Sequence, residues 1–481
     1  MPRFLLLFLA LIALFNLSRV LREPRPGPDR PMDFRTCYVG QEVLRQGENP
    51  YNDATLKSGW QRIAAREHLA TRTQPGLPNL PFLYPPWAAA LFGITIGQLP
   101  YAVAWPLWYG LALLSLGLVA WLWPKVLRAE NASVLPWWQF VLAALALKGT
   151  VPALLTGQPT FAALALGLGA LAVAGGRTSP PVRICLKRRV PRRGEPNDGF
   201  VRLARFLGRC TVFKGIKNEE LKIKSQIVKF LIFNSSFLIP FSKAKAPGRA
   251  VLAGLLLGLA AFKVTLLLPF AAWFLWQRQW RALAVAGAVV ALLSAVAWYW
   301  AVIPTDLLPT YQNLLAQVRA QSFDPADPDY PLTQGMTLRL ELGNVLEWLR
   351  PGSSPWHVLL HGALWLVALL QLAWLRRQGT VLAGWYVFLV LSTLTLLTTY
   401  HLYYDAVLLL PLLVFARYLP RSRQWLLLGL LLPLLLPLNG IALAIGNPTG
   451  LHWLYFLMPL SLLGVLAVLL AWPVHRASGS R

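Results

Sequence analysis

Asp33 lies in the stretch "PMDFRTCYVGQEVLRQGENPY", residues 31–51, directly after the first long apolar run of the chain. Phe34, Cys37, Tyr38, Leu44 and Arg45 recur there at helical spacing. Gly47 suits the position after a helix end, and Pro50 forbids continuation. The pattern predicts a short helix over 34–46, lying along a membrane face with Asp33 at its N-terminus. A carboxylate so placed either caps loose N–H groups or serves as a general base facing a cavity. Lys263, in "GLAAFKVTLLLPF", is an ammonium inside an apolar run. Such a residue is costly in hydrocarbon and marks function, unless its head snorkels to the interface. Lys148, in "LALKGTVPALL", is a second case nearer the end of its run. In "TTYHLYYDAVLLLP", His401 and Asp405 are four apart, so on a helix they share a face and can hydrogen-bond. That pair orients an imidazole or is a structural polar contact at a helix start. Arg339 in "LTQGMTLRLEL", Tyr84 in "FLYPPWAA" and Gln158 in "LTGQPTF" complete the set. Their bland readings are a surface arginine, an interfacial anchor before a helix-starting Pro85, and a structural glutamine.

The elements that must position these groups are apolar. The chain has 481 residues, 56% of them hydrophobic and 13% charged, with 21 Trp and a mean hydropathy of +0.51. Many windows approach the ~20 apolar residues that cross a bilayer, without the period-two alternation of a barrel. The fold class is therefore all-α, a polytopic integral membrane protein. About twelve spans are marked: 4–20, 83–99, 102–123, 134–155, 158–175, 249–275, 281–303, 355–375, 381–399, 402–418, 424–446 and 452–474. The first lacks a small-x-small cleavage site and reads as an uncleaved span rather than a signal peptide. Two non-membrane stretches follow spans one and seven: an outer loop at 21–81 bearing the juxtamembrane helix, and another at 304–355 with the acidic run "SFDPADPDYP".

The formal charge is +26. In a soluble chain that would suggest nucleic acid, but here the arginines gather in short connections such as "WQRQWR", "LRRQG" and "RYLPRSRQW". This is how cytoplasmic loops are marked, so no nucleic-acid partner is expected. With the N-terminus inside, these connections fall inside and the two long loops outside. The connection 176–248 disagrees, being basic yet placed outside, and the same count puts Gln158 inside, far from Asp33. Residues 178–245 also change vocabulary, holding eight of the twelve lysines and both Cys185 and Cys210. They read as a foreign insert between an N-terminal half, 1–177, and the remaining helices, 246–481. A genuine basic loop with an amphipathic surface helix is the alternative. The three cysteines, Cys37, Cys185 and Cys210, have no metal spacing and suggest no disulfide framework.

The ordered set "DFRTCYVGQEVLRQGENPY", "FLYPPWAAALF", "GQPTFAALALGLGALA" and "AGLLLGLAAFKVTLLLPF" resembles glycosyltransferase family 87. These are polyprenol-phosphate-mannose-dependent mannosyltransferases of the GT-C class. The resemblance covers most of the chain outside 178–245. It implies that Asp33 is the catalytic carboxylate after span one, and that Lys263 contacts a donor phosphate, with Arg339 a further candidate. It also implies that His401 and Asp405 support the donor site, with Tyr84 and Gln158 lining it. The implied donor is a lipid-linked sugar and the acceptor a glycolipid or glycan hydroxyl. The implied location is the cell inner membrane, with the site on the extracytoplasmic face. One base suffices in that chemistry, because the phosphate leaves already ionised, whereas a glycosidase needs two carboxylates. No cofactor is implied, and the acidic loops leave a metal open. The oligomeric state is not fixed.

A transporter or flippase of lipid-linked sugars shares the span count and the intramembrane lysine, but would be expected to show internal repeats, which are not evident. A membrane scaffold would have no use for Asp33. No P-loop, HExxH or GxSxG motif occurs. An insert at 178–245 would put the activity of this copy in doubt.

Overall fold

A computed structural model of the chain describes residues 3–22, 32–69, 82–129, 135–175, 246–300, 304–321, 339–350, 354–378, 382–436 and 453–474. The chain divides into two units, residues 1–178 with 247–476, and 179–246 with 477–481. The first unit carries the helical bundle. Cys185, Cys210, the expected insert and much of the loops 21–81 and 304–355 lie outside the described residues.

The protein is an all-α membrane protein. Among the described residues no strand forms; Arg339 and Leu402 are joined by an isolated antiparallel bridge. The helices are α1 Arg3–Arg22, α2 Met32–Arg45, α3 Asp53–Arg66, α4 Pro86–Ile94, α5 Tyr101–Ala129, α6 Trp137–Ala146, α7 Thr150–Leu155 and α8 Thr160–Gly175. They continue with α9 Ala246–Ala260, α10 Val264–Trp276, α11 Trp280–Trp300, α12 Leu307–Gln321, α13 Gly343–Leu349, α14 Ser354–Arg377, α15 Gly384–Thr398, α16 Leu412–Phe415, α17 Arg421–Leu435 and α18 Trp453–Ala471. Three are long and apolar enough to cross a membrane, α5, α11 and α14, and several others are apolar but shorter.

The bundle has two chemically distinct ends. Asp33 marks one. The other carries Arg128, Arg278, Arg281, Arg376, Arg377, Arg417, Arg421 and Arg423 in helix ends and tight connections. The two loop regions meet at the Asp33 end. Asn49 donates to Asp306 at 2.9 Å, and the rings of Tyr51 and Tyr311 lie 4.6 Å apart.

Two expected spans are built differently. Residues 83–99 form α4, nine residues long. That is roughly 14 Å at 1.5 Å per residue, under half of the ~30 Å hydrocarbon core. The 3₁₀ turn Ile96–Gln98 follows, and the Tyr38 hydroxyl donates to the Leu99 carbonyl at 2.7 Å. Phe82, at the segment's start, packs against Gly40. Both ends of the segment therefore rest on α2, so it dips in and returns. Gly93, Thr95, Gly97 and Pro100 break the run, and the Thr95 hydroxyl donates back to the Leu91 carbonyl at 2.6 Å. An average of hydropathy does not register these breaks.

Residues 249–275 are likewise a helical hairpin, not one span. α9 and α10 meet at Lys263. Thr160 of α8 touches Lys263, Gly167 faces Phe270 of α10, and Gly169 faces Leu256 of α9. Both legs thus descend from Lys263 toward the arginine end. On α9, Gly254 abuts Ala282 and Val285 of α11, while Gly258 abuts Ala286 and Val289. Missing side chains let these two backbones approach closely.

The two departures cancel. Dropping one crossing before residue 100 puts Thr156–Gln158 on the Asp33 side and the end of α8 at the arginine end. Splitting 249–275 restores the original count from residue 276 onward. The end of α8 at Gly175 and the start of α9 at Ala246 therefore both lie at the arginine end.

Residues 402–418 also depart from a regular helix. They form a 3₁₀ segment Tyr403–Leu409, the short α16 and a 3₁₀ turn Ala416–Tyr418. They still traverse the bundle: Asp405 sits at the Asp33 end, while Phe415 stacks on Tyr386 and Tyr418 packs on Trp385 near the start of α15.

Candidate functional site

Asp33 is in the first turn of α2. The backbone N–H groups of Asp33 and Phe34 both donate to the Thr156 carbonyl, at 3.0 and 3.2 Å. A carbonyl from the α7–α8 turn thus satisfies two of the N–H groups of the helix start. That turn is held firmly. The Trp108 indole donates to the Gly157 carbonyl at 2.7 Å, and the Tyr109 hydroxyl donates to the Leu155 carbonyl. Gly157 has φ +71°, and a Cβ there would stand 2.7 Å from the Cβ of Phe34. Only glycine meets both demands.

The Asp33 side chain is half-buried. Burial pushes its pKa up to about 6; hydrogen bonds from the Thr156 and Gln158 side chains and the charge of Lys263 oppose the rise, and Asp405 adds to it. A carboxyl held near neutrality is suited to taking a proton.

Behind Asp33 lies a second carboxylate in a different condition. Asp405 Oδ1 receives Lys263 Nζ at 2.8 Å and the Thr160 hydroxyl at 3.1 Å. Its Oδ2 pairs with His401 Nδ1 at 2.9 Å. Lys263 also donates to Thr160 and stands 4.8 Å from the centre of the Tyr404 ring. The Gln158 amide donates to the Tyr404 hydroxyl at 2.9 Å. Both Asp405 oxygens are therefore engaged, and the Lys263 side chain retains 11% exposure against 3% for Asp405. Lys263 owes its position to the hairpin apex, where it precedes α10 with a non-helical backbone. His401 is fully buried, and its Nε2 has no hydrogen-bond partner.

The sequence-derived residues mostly converge. Asp33, Gln158, Lys263, His401 and Asp405 share one neighbourhood. The expectation that Gln158 lies at the opposite end is corrected, because α4 does not cross. The Tyr84 side chain hydrogen-bonds to Cys37, one turn along α2 from Asp33. Arg339 is buried rather than on the surface. Its guanidinium lies 4.6 Å from the Tyr400 ring centre and 3.8 Å from Glu341, and Leu340 N donates to the His401 carbonyl at 2.9 Å. It borders the site through the backbone of His401 and Leu402. Lys148 sits in the break between α6 and α7, with its backbone N–H on the Leu434 carbonyl at 3.1 Å. Its ammonium is buried without a hydrogen-bond partner, 5.8 Å from the Tyr403 ring centre.

Thr156 and Thr160 were not singled out in the sequence reading. The signal was present in "LTGQPT", where three polar side chains interrupt an apolar region, but their partners are more than a hundred residues away.

A buried, hydrogen-bonded acid–cation network beside a near-neutral carboxylate, at one end of an all-α membrane bundle, describes an enzyme-like membrane protein. The family model described as glycosyltransferase family 87 matches residues 82–186 and 236–399, more than half of the chain. The chain belongs to glycosyltransferase family 87, and its activity is that of a glycosyltransferase. No curated protein and no solved structure matches it.

Proposed function

We propose that this protein transfers a hexose, mannose in the first instance, from a polyprenyl phosphate to a hydroxyl of a glycolipid or glycan. Asp33 takes the acceptor proton as the oxygen attacks the anomeric carbon, and the lipid phosphate departs in the same step with inversion. Lys263, poised on Asp405 and Thr160, turns toward the departing phosphate. Asp405 and His401 hold the lysine in place, and Gln158 with Tyr404 shapes the wall between the two carboxylates. The site faces the extracytoplasmic side of the cell membrane. Arg339 and Tyr84 border the donor path.

The observation that carries this reading is the unequal state of the two carboxylates. Asp405 is saturated by a cation, a hydroxyl and an imidazole. Burial lifts the Asp33 carboxyl to about 6, so it is ionised at pH 7 yet basic enough to take a proton. A single base fits a donor whose leaving group needs no proton, whereas paired carboxylates at glycosidase spacing would both have to be free to react.

The test is sugar transfer in membranes from radiolabelled polyprenyl-phosphate mannose by wild type and Asp33→Asn. Removing a positioned base is expected to lower turnover by ~10²–10⁴-fold. Normal turnover by the amide variant would sink the assignment.

A further inference from the structure

A cavity of about 290 Å³ opens between α1, α6, the 402–418 segment and α17, with its mouth at the arginine end and its lining reaching Leu147, Leu409 and Leu435. Sixteen residues line it, and thirteen are leucine or alanine. The other three, Arg417, Arg421 and Gln424, are all at one end of it. Arg417 ends the 3₁₀ turn Ala416–Tyr418, Arg421 opens α17 and Gln424 sits one turn further on. Both arginines are exposed, and no carboxylate lines the cavity. From Arg421 to Leu435 the lining climbs α17 by roughly 21 Å at 1.5 Å per residue. That exceeds the ~15 Å depth of one leaflet's hydrocarbon, half of a ~30 Å core.

We propose that this groove is a binding site for an anionic phospholipid. One acyl chain lies along the leucines of α17 and α1, and the phosphate rests against Arg417 and Arg421. The apolar wall fits a chain. The two guanidiniums at its mouth fit a phosphate, which they can contact in fork geometry. The exposed N–H groups at the start of α17, whose Pro420 cap supplies no side-chain bond, add to the positive end. The leaflet also matches. Arginines collect on the membrane face where anionic lipids are enriched. The mouth of the groove, at Arg417 and Arg421, lies at the other end of the bundle from Asp33 and Lys263.

The full chain, purified in mild detergent and stripped of lipid, is titrated with phosphatidylglycerol or phosphatidylcholine carrying the same acyl chains. Native mass spectrometry reads the bound lipid. One phosphatidylglycerol is expected, at least about tenfold tighter than phosphatidylcholine. Arg417→Ala with Arg421→Ala should erase that preference. Leu428→Trp, which fills the groove from α17, should lower binding of both lipids. Equal affinities, a preference that survives the double arginine substitution, or displacement of phosphatidylglycerol by polyprenyl phosphate would each overturn the proposal. The last outcome would make the groove a donor site instead.

Discussion

Asp33 ties charge, stability and the proposed reaction together at one residue. Burial moves its pKa from 3.8 to about 6, so the folded chain holds this proton more tightly than the unfolded one. Between about pH 4 and 6 stability therefore falls as pH rises, and the cost persists above that window. Two pH units correspond to about 3 kcal/mol at most. The residual accessibility of the carboxyl, and the favourable place of a charge at a helix start, worth 0.3–1 kcal/mol, reduce the net. Asp33→Asn should accordingly unfold at a higher temperature than wild type at pH 7.5, by about 1–2 kcal/mol, and show no gain at pH 4. In the proposed reaction the same proton sets the rate. kcat/KM should fall by about tenfold per unit as pH drops below 6, since the base is then occupied. A flat profile between pH 5 and 7 would count against Asp33 as the base. Lys263, His401 and Asp405 were legible in the sequence because each is a charge or imidazole in an apolar setting, and Asp33 because it opens a helix-patterned stretch directly after the first apolar run. Thr156 and Thr160 were not, since a threonine at the start of a span carries no such cost and only its partner reveals its use.

The elements that hold these residues depend on breaks in helices, and the break at Gly157 is the most demanding. Its positive φ turns α7 into α8 so that the Thr156 carbonyl meets α2 and the Gln158 side chain meets Tyr404. Gly157→Ala adds a left-handed penalty of about 1–2 kcal/mol and drives a methyl to 2.7 Å from Phe34. The variant should lose stability by more than that penalty and lose transfer activity together, because α2 must shift and Asp33 moves with it. Gly110→Ala on α5 is the control, since a Cβ there meets nothing within 4 Å. It should be neutral or stabilising by up to about 1 kcal/mol. If thermal unfolding and transfer assays ranked the two variants equally, the turn would not be the positioning device. This is also where sequence reading reached its limit. The α2 helix was visible from its period, its Gly47 stop and its Pro50, all local signals. The short α4 and the hairpin at Lys263 were not, because their apolar averages match those of true spans. What distinguishes them is where their ends dock.

At the scale of the whole molecule, the two differently built spans compensate, and the flanking helix ends predict a side for the connection between them. α8 ends and α9 begins at the arginine end, opposite Asp33. The native cysteines Cys185 and Cys210 lie in this connection and are ready probes. A membrane-impermeant maleimide applied to intact cells should leave them unmodified and should label them after permeabilisation, while Cys37, buried against α2's neighbours, reacts in neither case. Labelling of Cys185 or Cys210 from outside would restore the original count and place Gln158 away from Asp33. The same connection bears on whether the chain is an intact enzyme. The family match stops at 186 and resumes at 236, and the intervening residues hold much of the lysine-rich vocabulary that sets 178–245 apart. A bundle whose helices α8 and α9 already pack side by side, Gly169 against Leu256, does not need a long connection to bring them together. Closing a long loop costs only slightly more than closing a short one, so an insertion here is thermodynamically cheap to carry. Deleting 187–235 should therefore leave the midpoint of thermal unfolding within a few degrees and mannose transfer within about twofold of the full chain. A folded deletion variant without transfer activity would show instead that these residues belong to the enzyme, and the reading of them as foreign would be wrong.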